Sequence, residues 1–235
     1  MAVLGWLVSV VYKAFFLKGD TGFKRAHWTV KVLYIAILTL IIARGDLGLL
    51  LGALLVSLAL GLISPGYEWV LSTLTLSSIV SAYMSLTSLI ASLAGFSPVG
   101  GYWSIVFIAL RTLSLSTIIA FSFVIISPLE ISSLLILLGA GRLAGIPLLV
   151  WRLIPYGLKS FSESLGIGYV KGERVSQRIP PAVASVIEIG GFIEEYCFYK
   201  LNSKAKRIVL PEYTWRHTAI LALSSVILML LLAAQ

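Results

Sequence analysis

Charged residues are scarce in this chain of 235 residues. Asp, Glu, Lys and Arg together make up 12% of it, whereas hydrophobic residues make up 59%. So little charge excludes an ordinary soluble globular protein. The apolar runs are also far longer than the roughly ten residues that a strand of a membrane barrel needs. The composition therefore predicts an integral membrane protein of the all-α class.

Cysteine and histidine are nearly absent. The single cysteine, Cys197, excludes an internal disulfide. The two histidines, His27 and His217, are too few and too far apart in sequence to indicate a metal site. The chain also lacks a Walker phosphate-binding motif and paired acids inside its apolar segments. We therefore expect no metal, no cofactor and no catalytic residue.

Basic residues outnumber acidic ones, since 18 Lys and Arg stand against 10 Asp and Glu for a net charge of +8. Such a charge can indicate nucleic-acid binding, but the chain has no motif that is typical of groove reading. The basic residues instead flank the apolar segments, as the positive-inside rule requires of cytoplasmic loops. We therefore expect a lipid bilayer as the partner of these residues, and no nucleic acid.

The apolar segments predict a multi-pass protein of the cell membrane with about five transmembrane helices. A basic cluster around Trp28 places the start of the chain in the cytoplasm, where residues 1–17 are expected to form an interfacial or re-entrant helix. Residues 1–126 hold this helix and four spans, residues 127–210 form a cytoplasmic part, and residues 211–235 hold the last span. The spans are expected near residues 30–43, 47–63, 69–93, 103–126 and 217–232.

Two polar features lie inside the predicted spans. Arg111 falls in the outer third of the fourth span, and a guanidinium at the centre of a span costs about 2.5 to 3.5 kcal/mol on insertion scales. It either snorkels outward or has a functional polar partner. The hydroxyls of the third span either allow close helix packing or form a lateral face on which another membrane protein moves. They belong to Ser72, Thr73, Thr75, Ser77, Ser78, Ser81, Ser85, Thr87 and Ser88.

The stretch from Ser127 to Arg207 concentrates the acids and bases that the spans lack. It opens with Ser127-Pro128-Leu129-Glu130, a capping-box pattern with proline at its tolerated first position, which predicts the start of a helix. Three glycines, at positions 139, 141 and 145, predict that this helix ends. A longer helical pattern then begins at Pro147.

Two amphipathic helices are predicted within this stretch. Leu158 and Phe161 belong to the apolar face of the first, and Gly190 and Cys197 to the apolar face of the second. Because Gly190 and Cys197 are small, they leave room for another helix to approach. We therefore expect the two helices to cross at these four residues.

Both amphipathic helices end in the same way. Lys171 precedes Gly172, and Lys200 with Leu201 precedes Asn202. Glycine and asparagine tolerate the left-handed conformation that closes a helix, and a lysine in the last turn suits the negative end of the helix dipole. The two lysines are therefore either C-terminal caps or contacts to a partner.

Several short motifs follow one another along the chain: His27-Trp28-Thr29-Val30-Lys31, Arg111 with the serines and threonines after it, Ser127-Pro128, Gly145-Ile146-Pro147, Arg152-Leu153-Ile154-Pro155, and the helix ends at Lys171-Gly172 and Lys200-Leu201. Their order and spacing resemble the transmembrane T component of energy-coupling factor transporters. This family includes the membrane subunits of cobalt, nickel and biotin importers. The resemblance covers most of residues 28–235.

The resemblance implies a non-catalytic subunit that couples two ABC-type ATPase subunits to a substrate-binding membrane subunit, for uptake of a vitamin or a transition-metal ion. In that family the two helices form a crossed cytoplasmic pair, and each ends in an Ala-Arg-Ser or Ala-Arg-Gly motif whose arginine docks into one ATPase. It implies the same role here for Lys171, Gly172, Lys200 and Leu201. Lysine replaces arginine at both positions, and it offers a point charge where arginine offers a planar fork.

Two other functions agree with parts of the sequence. An integral-membrane enzyme acting at the cytoplasmic face would use Glu130, Glu163 or Glu188 together with His217, and these groups would have to converge on one site. A non-transporting membrane scaffold is favoured only by the two lysines.

Overall fold

The protein is all-α in a computed structural model that describes residues 3–16, 21–95, 102–141, 143–202 and 212–234. Apart from turns and a short 3₁₀ helix at Gly22–Arg25, every regular element in these ranges is an α-helix, and no strand occurs in them. The predicted fold class is confirmed. The helices are α1 (Val3–Phe16), α2 (Trp28–Arg44), α3 (Leu47–Ile63), α4 (Tyr67–Leu93), α5 (Tyr102–Ile125), α6 (Pro128–Leu137), α7 (Ile146–Val170), α8 (Val175–Asn202) and α9 (Trp215–Ala233).

Three helices, α4, α5 and α9, are long and apolar enough to cross a membrane. Helices α2 and α3 have 17 residues each, and a span needs roughly 17 to 25. Each of the five predicted spans is therefore helical, and three of them clearly reach membrane length. The structure supports a membrane protein, and the count of five spans stays a prediction.

The chain divides into two compact units, which we name by their main features. The bundle unit comprises Lys13–Ile126 and Glu212–Gln235, and the hairpin unit comprises Met1–Tyr12 and Ser127–Pro211. Each is described by itself below. The three-part division of the chain at residues 126 and 210 stays a prediction.

The bundle unit packs α2, α3, α4, α5 and α9 around an aromatic cluster. The ring of Phe121 on α5 makes edge contacts with Trp69, Tyr34 and Phe23, at centroid distances of 5.5, 6.1 and 6.3 Å. These four side chains are at most 1% exposed. Trp69 also donates its indole N–H to the carbonyl of Ala14 (2.8 Å), so it holds the last turn of α1 against α4.

Helices α2 and α9 run in the same direction. At one end, the backbone N–H of Thr214 donates to the carbonyl of Arg25 (2.8 Å), and that of His27 donates to Oγ1 of Thr218 (3.0 Å). At the other end, Nη1 of Arg44 donates to the carbonyl of Leu232 (3.0 Å). The parallel direction of α2 and α9 is expected when the chain leaves the bundle after α5 and re-enters it at α9 on the same side.

Buried hydroxyls line the interface of α4 with α5. Ser72, Thr73, Ser77 and Ser81 are all buried. Thr117 donates its hydroxyl to Oγ of Ser77 (2.9 Å), and Ser81 donates to the carbonyl of Ala109 (2.6 Å). Ser77 and Ser81 therefore serve helix packing, the first of the two roles considered for these hydroxyls. For the other hydroxyls of α4, a lateral sliding face stays a prediction.

Candidate functional site

The hairpin unit begins with the predicted capping box. The side chain of Ser127 caps the first turn of α6, and Oε2 of Glu130 accepts the backbone N–H of Ser127 (3.2 Å). Pro128 occupies the first turn, where its missing N–H costs nothing. Helix α6 ends at Leu137, and Gly139 takes a left-handed φ of +78°. The predicted helix start and break are thus both confirmed.

Helices α7 and α8 form an antiparallel hairpin, and a turn of four residues, 171–174, joins them. With increasing distance from this turn, earlier residues of α7 contact later residues of α8. Near the turn, an added Cβ on Gly168 would lie 2.7 Å from Cγ of Arg178. Farther away, Oγ of Ser160 donates to Oγ of Ser185 (3.1 Å). Short side chains at these contacts let the two backbones approach.

The described residues show no close approach at Gly190, so the crossing there stays a prediction. An added Cβ on Gly190 would meet no heavy atom within 4 Å in the described part of the chain, whereas one on Gly157 would lie 3.8 Å from Cγ1 of Val186. Ala182 is fully buried, while its neighbour Val183 is exposed. Among the described residues, the packed face of α8 therefore includes Ala182 and Val186.

The other predicted crossing residues have different surroundings. Leu158 and Phe161 are half-buried. Leu158 lines a groove of about 850 Å³ between α1 and α7. The side chain of Cys197 lies outside the described part of the structure. Its role in a crossing stays a prediction.

The end of α7 closes through backbone hydrogen bonds. Gly172 has a left-handed φ of +74°. Its N–H donates to the carbonyl of Tyr169 (3.0 Å), and the N–H of Glu173 donates to that of Gly168 (3.0 Å). This is the Schellman pattern, which satisfies carbonyls that the helix leaves unpaired. The role of Gly172 in ending the helix is confirmed.

Lys171 takes no part in this closure through its side chain. Its backbone N–H donates to the carbonyl of Ile167 (3.1 Å), but its ammonium has no hydrogen bond or ion pair with any described residue, and the side chain is exposed. Whether Lys171 acts as a helix cap or as a contact to a partner stays a prediction.

An arginine that the sequence did not single out fixes the turn. The Arg178 guanidinium donates from Nε to the carbonyl of Glu173 (2.6 Å) and also contacts it through Nη2. Its Cζ lies 5.1 Å from the centre of the Tyr169 ring, within cation–π range. No local pattern predicts this cluster, because it forms only when the end of α7 meets the start of α8.

The far end of α8 is described for its backbone alone. Lys200 and Leu201 lie in the last helical turn, which ends at Asn202, and their side chains lie outside the described residues. Helix α8 has 28 residues, so its two ends are about 42 Å apart at 1.5 Å per residue. The backbone therefore carries Lys171 and Lys200 to opposite ends of the hairpin.

The residues proposed for an enzyme each have their own surroundings. Glu130 is used in its capping box, and Glu163 makes an exposed ion pair with Lys159 (3.7 Å). Glu188 is exposed on α8. His217 belongs to the bundle unit, where its ring packs edge-on against Phe23 (5.5 Å). Within the described residues, no group of three His, Cys, Asp or Glu could hold a metal ion.

Arg111 is exposed on α5 and reaches the turn between α2 and α3. An added Cβ on Gly45 would lie 2.6 Å from Nη2 of Arg111. Gly45 itself has a left-handed φ of +71°. Of the two alternatives for Arg111, the structure favours snorkelling toward the end of the bundle.

Comparisons with protein-family models, curated proteins and solved structures find no match to this chain.

Proposed function

We propose that the chain is the membrane-embedded coupling subunit of an energy-coupling-factor type importer. In this role the bundle unit spans the cell membrane five times, and the hairpin unit lies in the cytoplasm. The α7–α8 hairpin transmits the opening and closing of two ABC-type ATPase subunits to a separate membrane subunit that binds a vitamin or a transition-metal ion. The chain itself performs no chemistry.

The observation that carries this proposal is the hairpin with a lysine at each end. Lys171 is exposed at a turn where backbone donors bond to the carbonyls of residues 167, 168 and 169, and its ammonium makes no hydrogen bond or ion pair with a described residue. About 42 Å of helix separates this end from the one that bears Lys200. Two separate ATPase subunits could each engage one end. An ammonium binds partner carboxylates or carbonyls through charge-assisted hydrogen bonds.

The experiment is purification of the tagged full chain from its own membranes in mild detergent, with identification of the proteins that accompany it. We expect two ABC-type ATPases and a small substrate-binding membrane protein in stoichiometric amounts. Purification of the chain without any ATPase would overturn the proposal, because a coupling subunit has no function without its motor.

A further inference from the structure

Two arginines lie at the end of the bundle unit where α2 passes into α3. Arg44 is the last residue of α2, and its Nη1 donates to the carbonyl of Leu232 in the last turn of α9 (3.0 Å). The guanidinium of Arg111 lies against Gly45, as described above. Both arginines are exposed. We refer to Arg44 and Arg111 as the arginine pair.

The described residues leave most donors of the arginine pair unused. Arg111 makes no hydrogen bond or ion pair with them. Asp46, the acid that follows Gly45, makes no ion pair with Arg111 either. Arg44 makes one hydrogen bond with the described residues, to a backbone carbonyl. A guanidinium carries five N–H donors and cannot lose its charge in a protein. The remaining donors of the pair are therefore open to water or to an anion that is not among the described residues.

Helices α4 and α5 extend well beyond the arginine pair. Helices α2 and α3 have 17 residues each, whereas α4 has 27 and α5 has 24. The hydrogen bond from Ser81 to Ala109 fixes the register of α4 against α5. Arg111 lies about 13 Å along α5 from its first residue, Tyr102. Counted from Arg111, α5 thus runs about two and a half turns back to its first residue, and α4 runs about three turns beyond Ser81 to Leu93.

The exposed surface of the projecting part is mainly apolar. Its exposed large hydrophobic side chains are Tyr83, Met84, Leu86, Leu89, Ile90 and Leu93 on α4, and Trp103, Val106, Phe107 and Leu110 on α5. A surface of this kind is stable in hydrocarbon, and Trp103, 85% exposed at the start of α5, marks a typical headgroup level. The backbone of Arg111 then lies about a dozen ångströms below that level. Charges at such a depth are satisfied by local thinning of the bilayer.

We propose that the arginine pair binds the phosphate of a phospholipid, which is drawn inward over the short α2 and α3. A guanidinium matches a phosphate with two parallel hydrogen bonds. Phe107 lies one helical turn before Arg111 on the same face of α5 and is half-exposed. It offers the lipid's glycerol and acyl chains an apolar surface beside the charge, which a free phosphate ion cannot use. This site depends on the bundle spanning a membrane, and it is independent of any ATPase.

Native mass spectrometry of the full chain tests the site directly. The protein is taken from vesicles of phosphatidylcholine and phosphatidylglycerol, and the retained phospholipid is counted. The wild type should retain phospholipid, and Arg111→Gln should bind it about tenfold more weakly, because a charge-assisted hydrogen bond is lost. Arg111→Lys should keep part of the binding. Arg174→Gln, at an exposed arginine of the α7–α8 turn, is the matched control and should equal the wild type.

Two results would overturn the proposal. One is equal phospholipid retention by Arg111→Gln and the wild type. The other is displacement of the lipid by millimolar inorganic phosphate, which would show a site for a soluble anion rather than for a lipid.

A second measurement uses a chain in which the arginine pair is intact. A fluorescent label is attached at Gly48→Cys, next to the α2–α3 turn, with Cys197→Ser to remove the native thiol. A quencher on the lipid headgroup should reach this label as well as it reaches a label at Trp103→Cys. Quenching at Gly48→Cys mainly by bromine at the middle of the acyl chains would show an undeformed leaflet and contradict the proposal.

Discussion

Gly61 and Gly190 are both glycines inside helices, but their surroundings differ. An added Cβ on Gly61 would overlap the six-membered ring of the buried Trp69, whereas one on Gly190 would meet no described atom within 4 Å. We predict that Gly61→Ala destabilises the protein by about 1 to 3 kcal/mol through overpacking. Gly190→Ala should stabilise it by about 0.5 to 1 kcal/mol, because alanine loses less backbone entropy in a helix. The free energies of unfolding of the purified variants in detergent provide the measurement. A larger loss of stability at Gly190 than at Gly61 would contradict this packing.

For single residues, the sequence best predicts the features that depend on residues close by in the chain. The capping box at Ser127 and Glu130 and the left-handed Gly172 were both correctly predicted, because their hydrogen bonds join residues within one helical turn or slightly more. The place of Gly190 is harder to predict, because the helical period defines an apolar stripe only to within about one residue. The partner helix decides which edge of that stripe is buried. Arg178 was missed for the same reason, since its partners lie across the turn between α7 and α8.

At the scale of elements, α4 and α5 pack through hydroxyl groups. Substitutions of two neighbouring serines of α4 can test this contact. Ser77 accepts a hydrogen bond from Thr117 and is buried, whereas Ser78 is exposed. We predict that Ser77→Ala lowers the free energy of unfolding by about 0.6 kcal/mol and at most about 1.7, the range for hydrogen bonds between membrane helices. Ser78→Ala should change it little. Equal effects at the two positions would argue against the α4–α5 contact.

The turn between α7 and α8 is a second element with its own test. Arg178 holds the carbonyl of Glu173 from the following helix, whereas the Arg174 side chain is exposed and has no partner among the described residues. Arg178→Ala should raise amide hydrogen exchange at residues 171–174 about tenfold, because a charge-assisted hydrogen bond that limits local opening is lost. Arg174→Ala should leave these rates unchanged. Unchanged rates in Arg178→Ala would show that backbone bonds alone hold the turn.

For the whole molecule, the sequence predicted an all-α protein with helices in all five proposed spans, because long apolar runs leave few alternatives. It did not predict that residues 1–12 group with 127–211 rather than with the bundle. Nothing in the apolar pattern of α1 distinguishes contact with another helix from contact with lipid headgroups. The groove that Val8, Ser9 and Tyr12 share with α7 depends on residues about 150 positions apart, and such contacts leave no local signal.

The predicted topology can be tested with introduced cysteines. We expect Asp46→Cys, at the α2–α3 turn, to react with a membrane-impermeant maleimide in intact cells. Gln177→Cys, in α8, should react only after permeabilisation, because the positive-inside rule predicts a cytoplasmic location for its basic segment. Both positions are exposed, and Cys197→Ser removes the native thiol. Labelling of Gln177→Cys in intact cells would exclude contact with cytoplasmic ATPases.

The central claim is that each end of the α7–α8 hairpin holds one ATPase subunit. The mass of the intact complex, measured for single and double lysine variants, tests it most directly. The wild type should carry two ATPase subunits, Lys171→Ala and Lys200→Ala should each carry one, and the double variant should carry none, because each loses a charge-assisted contact at a separate end. Lys159→Ala, an exposed lysine of α7 away from both ends, is the control and should carry two. A double variant that still carries two ATPase subunits would contradict the account.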